Sequence, residues 1–147
     1  MVSKVSFIGL GVMGFPMAKH LQESGYLTTV YNRTESKAQD WVSKYGGSAA
    51  STPAVAAEGS EIVFMCVGDD EDVRSVVYGE TGVLAGMNSG SVLVDHTTAS
   101  ATVAKEIAEA ARKQDVEFID APVSGGQAGA ENGQLTVMCG GDSDVFA

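Results

Sequence analysis

The chain has 147 residues, 44% of them hydrophobic, which suits one domain with a sizeable core. Lysine and arginine total 9 against 19 acids, a formal charge of −10, and this excludes the basic face of a nucleic-acid binder. No apolar run approaches the roughly 20 residues that a bilayer span requires.

The first strand pattern starts almost at once, with no signal segment visible before it. Cys66 and Cys139 lie far apart in apolar runs without metal-ligand spacing. They are expected to be buried small hydrophobes in a cytoplasmic protein. The acid excess serves solubility, so the few cations, Arg33 among them, stand out.

In chain order, KVSFIGLG (residues 4–11) reads as a buried strand that breaks at glycine. Residues 16–24 carry Met17, Ala18 and Leu21 at helical spacing, and Gly25 stops that helix. LTTVY (27–31) is a second strand, and Thr34 is placed to cap a helix over 35–44 with Trp41 and Val42 inward. Thr52 caps a short helix over 53–58 that starts on proline. EIVFMCV (61–67) is a long buried strand, followed by a helix over 69–77 with acids in its first turn. GSVLVDHTT (90–98) is a strand and its exit. Residues 100–113 form an amphipathic helix with Val103, Ile107, Ala108 and Ala111 on one face. Residues 116–126 are strand then loop, and QLTVMCGG (134–141) is a last strand. Apolar strands alternating with helices predict an α/β fold, doubly wound, with a mostly parallel sheet covered on both faces.

After the first strand comes GLGVMG, with Gly9, Gly11 and Gly14 in GxGxxG spacing. Gly9 permits the tight turn, Gly11 lets a phosphate approach the backbone, and Gly14 lets helix and strand pack closely. The helix start then offers N–H groups and a positive dipole end to a pyrophosphate. The bare motif is weak, but its place between a strand and a helix is the confirming context. The second strand ends at Tyr31, and the ribose-recognition position that follows is Asn32. An acid there would repel a 2′-phosphate. Asn32 does not, Arg33 adds a fork of donors, and Thr34 adds a hydroxyl, so the expected cofactor is NADP, with NAD as the alternative. On the competing reading, Arg33 projects into solvent and Asn32 caps the next helix.

Three strand exits line the carboxyl edge, where open α/β sheets bind ligands. They are Val67-Gly68-Asp69, Asp95 to Thr98, and DAPVSGGQAGAENG (120–133). Ser124, Gly125 and Gly126 place a hydroxyl before two approachable N–H groups, which suits a small carboxylate. A glycine-rich surface turn accounts for the same residues. His96 fits a polar residue at a strand exit better than a general base. Met13 and Met17 read as packing.

Together these residues resemble the β-hydroxyacid dehydrogenase family, which includes 3-hydroxyisobutyrate dehydrogenases. The resemblance rests on FIGLGVMGFPMAKHL, on DHTTAS, and most specifically on Asp120, Ser124, Gly125, Gly126, Ala130 and Gly133 in the pattern DxxxSGGxxxAxxG. It implies a Rossmann domain over 1–147, truncated at its C-terminal end, with the family's all-helical C-terminal domain absent. It also implies that the full-length protein is a homo-oligomer. Gly9, Leu10, Gly11, Val12, Met13 and Gly14 would hold the dinucleotide with Asn32, Arg33 and Thr34. Val67, Gly68 and Thr98 would line the path toward the nicotinamide, and Ser124, Gly125 and Gly126 would take the carboxylate of a small hydroxyacid. The family's acid/base is a lysine on the helix after the substrate motif, and Lys113 is the last lysine here, upstream of that motif. The expectation is therefore an NADP-preferring 3-hydroxyacid dehydrogenase whose catalytic lysine lies beyond residue 147, leaving this chain inactive alone. The alternative is a non-catalytic dinucleotide-binding or oligomeric interaction module. A third possibility, the 6-phosphogluconate dehydrogenase class, would need cations for a substrate phosphate near Ser124, and the sequence has none there.

Overall fold

The structure, a computed structural model, describes residues 4–11, 13–97 and 100–121, and the backbone of 123–124, 136–137 and 140–141. Val12, Thr98, Gly125, Gly126 and Cys139 lie outside the described residues, as do the side chains of Ser124 and the rest of the substrate motif beyond Ala121.

The first half of the chain forms β1 (Lys4–Ile8), α1 (Gly14–Glu23), β2 (Leu27–Tyr31), α2 (Glu35–Tyr45), β3 (Ser48–Ala49), α3 (Pro53–Ala57) and β4 (Ile62–Met65). The second half forms α4 (Asp70–Val77), α5 (Val83–Gly86), β5 (Val92–Asp95), α6 (Ala101–Arg112) and β6 (Glu117–Asp120), then the two-residue strands β7 (Val123–Ser124), β8 (Thr136–Val137) and β9 (Gly140–Gly141). The main sheet runs β3-β2-β1-β4-β5-β6-β9. All its pairings are parallel except that of β9 with β6. This is the doubly wound, Rossmann-type arrangement, with the strand order reversing between β1 and β4.

Each strand serves two cores because successive side chains point to opposite faces. On one face Phe7 and Val30 pack with Ala18 of α1 and with Ala38 and Trp41 of α2. The Trp41 Nε1–H donates to the Phe15 carbonyl at 3.2 Å, joining the two helices. On the other face Ile8, Val63, Met65 and Leu93 meet Val73 and Val77 of α4 and Val103, Ile107 and Ala111 of α6. Ala108 of α6 is only partly buried at the margin of that core.

Helix starts follow the side chains that cap them. The Thr52 hydroxyl accepts the Val55 N–H, with Pro53 as the first helical residue, and the Ser100 hydroxyl accepts the Val103 N–H. Asp69 does the same for Asp72. Thr34 occupies the N-cap of α2, but its hydroxyl makes no cap bond.

Two readings change. The single strand expected over 134–141 contributes to two sheets. Thr136–Val137 pairs with Val123–Ser124, whereas Gly140–Gly141 pairs with the edge of β6. An apolar run predicts extended backbone but does not name its partner. Cys66 is half-buried rather than buried, because it stands one residue past β4 at the open edge of the sheet. Among the described residues no helix is long and apolar enough to cross a membrane.

Candidate functional site

The parallel register brings five strand ends into line. Ile8 stands beside Tyr31 and Met65, Met65 beside Asp95, and Asp95 beside Asp120. The chain turns at Gly9, whose φ of +101° suits glycine alone. Its N–H donates to the Tyr31 carbonyl at 2.8 Å. A side chain at Gly9 would strike the Cys66 carbonyl, and one at Gly14 would strike the Gly9 carbonyl. The turn is therefore locked between β2, β4 and α1.

Gly11 differs from both, since a Cβ there would meet nothing within 4 Å. Its open side faces a cleft of about 560 Å³ at the point where the strand order reverses. The start of α1 has no side-chain cap and no acid in its first turn. The first turns of α2 and α4, by contrast, carry Glu35 and Asp70, Glu71 and Asp72. The α1 end thus presents a positive dipole and no competing charge to an anion. The shape and charge of this end suit a pyrophosphate.

At the mouth of the cleft Asn32 has a structural task. Its Oδ1 accepts the Leu10 N–H at 2.9 Å, and its Nδ2 donates to the Thr34 carbonyl at 3.1 Å. This amide joins the Gly9–Tyr31 bond in tying the glycine turn to the β2 exit. Arg33 extends beyond it with 82% of its side chain exposed, and Nη1 lies 3.4 Å from Oδ1 of Asp72 on α4. Among the described residues that line the cleft, Arg33 is the one cation and Asp72 the one acid.

The far wall is Cys66, Val67 and Gly68. The Val67 N–H donates to the Thr97 hydroxyl at 3.0 Å, and the Thr97 N–H donates to Oδ1 of Asp95 at 2.9 Å. Burial pushes the Asp95 carboxyl up to about 6; the Thr97 bonds act against this, and the nearby Asp120 and Asp70 add to it. Burial, with Asp95 adding to it, also pushes the Cys66 thiol up to about 11. His96 turns away from the cleft. It is buried, its Nδ1–H donates to the Ala121 carbonyl at 2.8 Å, and its ring stacks on Phe64. Burial lowers its pKa.

Of the residues singled out from the sequence, Gly9, Gly11, Met13, Gly14, Asn32, Arg33, Val67 and Gly68 line one cleft. Leu10 stands behind it, with a buried side chain and its N–H committed to Asn32. Thr34 is exposed at the start of α2 and does not line it. Sequence reasoning missed Ile8, Tyr31, Pro53, Cys66, Asp72, Ser75, Val76 and Thr81. Only Ile8, Tyr31 and Cys66, each directly beside a residue singled out from the sequence, carried a signal there.

The geometry has counterparts. Residues 4–147 match the model of a family described as the NAD binding domain of 6-phosphogluconate dehydrogenase. The chain is 62% identical over 145 residues to an uncharacterised oxidoreductase of Shewanella frigidimarina, covering 99% of this chain and 50% of that protein. It is 38% identical over 145 residues to an NAD-dependent L-serine dehydrogenase of Pseudomonas aeruginosa, covering 99% of this chain and 48% of the other. Among solved structures, a 3-hydroxyisobutyrate dehydrogenase of Mycobacterium tuberculosis, studied with L-serine, superposes with a TM-score of 0.90 at 29% identity, over 99% of this chain and 49% of that one. The chain thus spans about half the length of the curated relatives it matches.

Proposed function

The chain belongs to the family of NAD binding domains described for 6-phosphogluconate dehydrogenase, and on that premise we propose that it is the cofactor-holding part of an oxidoreductase that moves hydride between NADP(H) and a small β-hydroxyacid or its semialdehyde. One observation carries the reading: Gly11 opens onto a cleft at a helix start that bears neither cap nor acid. The N–H groups of the glycine turn and of α1 hold the pyrophosphate. Asn32 keeps the turn in shape and Arg33 meets the 2′-phosphate, while Val67, Gly68 and Thr98 face the nicotinamide end. The nicotinamide, when bound, supplies or receives the hydride. Ser124, Gly125 and Gly126 hold the substrate carboxylate.

Proton transfer at the substrate oxygen falls to a lysine outside these 147 residues, and such a group contributes about 10²–10⁴-fold. The family model describes the cofactor domain, so it does not choose between a phosphorylated and a small carboxylate substrate. The small hydroxyacid is favoured by the absence of cations around the Ser124 motif in the sequence. The names of the relatives, which include serine and 3-hydroxyisobutyrate dehydrogenases, agree with it.

NADP preference is the sharper part of the proposal, and one relative is named as NAD-dependent. The test is a titration of the chain with NADPH and with NADH, read by fluorescence or calorimetry. Arg33→Ala is expected to weaken NADPH by about 1.5–3 kcal/mol and to spare NADH. Equal losses for both cofactors would remove the phosphate role. Hydride transfer by the full-length protein separates the enzyme from a non-catalytic dinucleotide-binding module.

A further inference from the structure

We infer that Asp72 is a specificity-determining residue: its carboxylate is the counter-ion that an incoming 2′-phosphate must displace from Arg33, and it therefore restrains the preference for NADPH over NADH. The inference rests on the proposed role of Arg33 and deepens it.

The two residues are 39 positions apart, yet both line the cleft, and their charges approach to 3.4 Å across its mouth. Asp72 is the better held of the pair. Its side chain is 31% exposed against 82% for Arg33. Its N–H is fixed by Asp69 at 2.9 Å. The carboxylate lies so close over Gly68 that a side chain at that glycine would strike its Oδ2. Arg33 is the arm that moves, and Asp72 is the post it leans on.

A pair this exposed, joined by one long contact, is weak. A phosphate that offers two oxygens to the same guanidinium fork displaces it. Once displaced, Asp72 remains beside the phosphate as a like charge with no other cation among the lining residues. NADH carries no 2′-phosphate and leaves the pair intact. The carboxylate thus opposes NADPH more than NADH.

Purified wild type, Arg33→Ala, Asp72→Asn and the double variant would each be titrated with NADPH and NADH at low and high salt, with thermal unfolding as the check on folding. Asp72→Asn is expected to tighten NADPH about 3- to 10-fold, the range for removing one partly screened like charge, and to leave NADH within about twofold. The gain shrinks at high salt, which a purely structural effect would not do. It also shrinks when Arg33 is already alanine. Should the amide disturb α4, Asp72→Ser asks the same question. If Arg33→Ala selectively loses NADPH while Asp72→Asn leaves the NADPH-to-NADH ratio unmoved, the role of Asp72 is overturned and the phosphate reading stands. If Arg33→Ala affects both cofactors equally, the phosphate reading falls and takes this inference with it.

Discussion

Two glycines five residues or fewer from the first turn make opposite predictions, because one is closed in by protein and the other is not. Gly14 has the Gly9 carbonyl where a Cβ would go, and the Phe7 ring is 3.0 Å from the same point. Gly14→Ala is expected to cost roughly 1–3 kcal/mol of stability, since backbone cannot step aside as a side chain can. Gly11 has open space and no left-handed φ. Gly11→Val is expected to fold with an unfolding temperature near that of the parent and to bind neither NADPH nor NADH. A variant that still binds would mean that the cradle lies elsewhere. The Cys66 thiol makes a third case. With its pKa near 11 it is almost wholly protonated at pH 8. Alkylation there, followed by site-resolved mass spectrometry, should run about 100-fold slower than at an exposed cysteine. Rapid labelling would show that the wall behind Gly9 opens in solution.

Between elements, the link that matters runs from β5 to the exit of β4. Asp95 holds the Thr97 N–H, and Thr97 holds the Val67 N–H, so a buried carboxylate sets the height of the far cleft wall. Its carboxyl is raised from 3.8 to about 6, chiefly by burial. A group that binds its proton more tightly when folded stabilises the native state fully below its unfolded pKa, and that contribution is lost as pH rises through the folded one. Stability from this group is therefore complete below about pH 4 and gone above about pH 6. Asp95→Asn retains an oxygen for Thr97 and removes the charge. Denaturant unfolding should find the variant equal to the parent near pH 4 and more stable at pH 8 by on the order of 2 kcal/mol. A difference that does not change with pH would assign the titration to another group, Asp120 being the nearest.

The same scale shows what could be read from residues alone. The strands β1, β2, β4, β5 and β6, the cap at Thr52 and the glycine turn were legible because each is written in a local pattern of period, cap or spacing. Ser48–Ala49 and Val83–Gly86 are too short to show a period. Asn32 was legible as a position but not as a task, since its partner Leu10 lies 22 residues back. Asp72 sits in an acidic helix start and looked like dipole compensation; only the fold sets it opposite Arg33.

At the scale of the molecule, the cleft draws on both cores. Gly9, Gly11, Met13, Gly14, Tyr31 and Arg33 come from the β1–β2 side, whereas Val67, Gly68, Asp72 and Val76 come from the side built by β4 and α4. The two sides meet along β1, which pairs with β2 and β4 and sends side chains into both packed faces. A ligand that spans the cleft binds only when both sides are folded. Its binding energy therefore adds to the stability of the whole rather than of one half. At a hundredfold excess over its dissociation constant, such a ligand adds about 2.7 kcal/mol, or roughly 5–10 °C of unfolding temperature for a chain of this size. NADPH should produce this shift as a single sharpened transition. Arg33→Ala should lose most of it for NADPH and none of it for NADH at fixed concentration. If NADPH instead splits the melt into two steps, with only the earlier or later one shifted, the ligand grips one side alone and the cleft as a shared site is wrong.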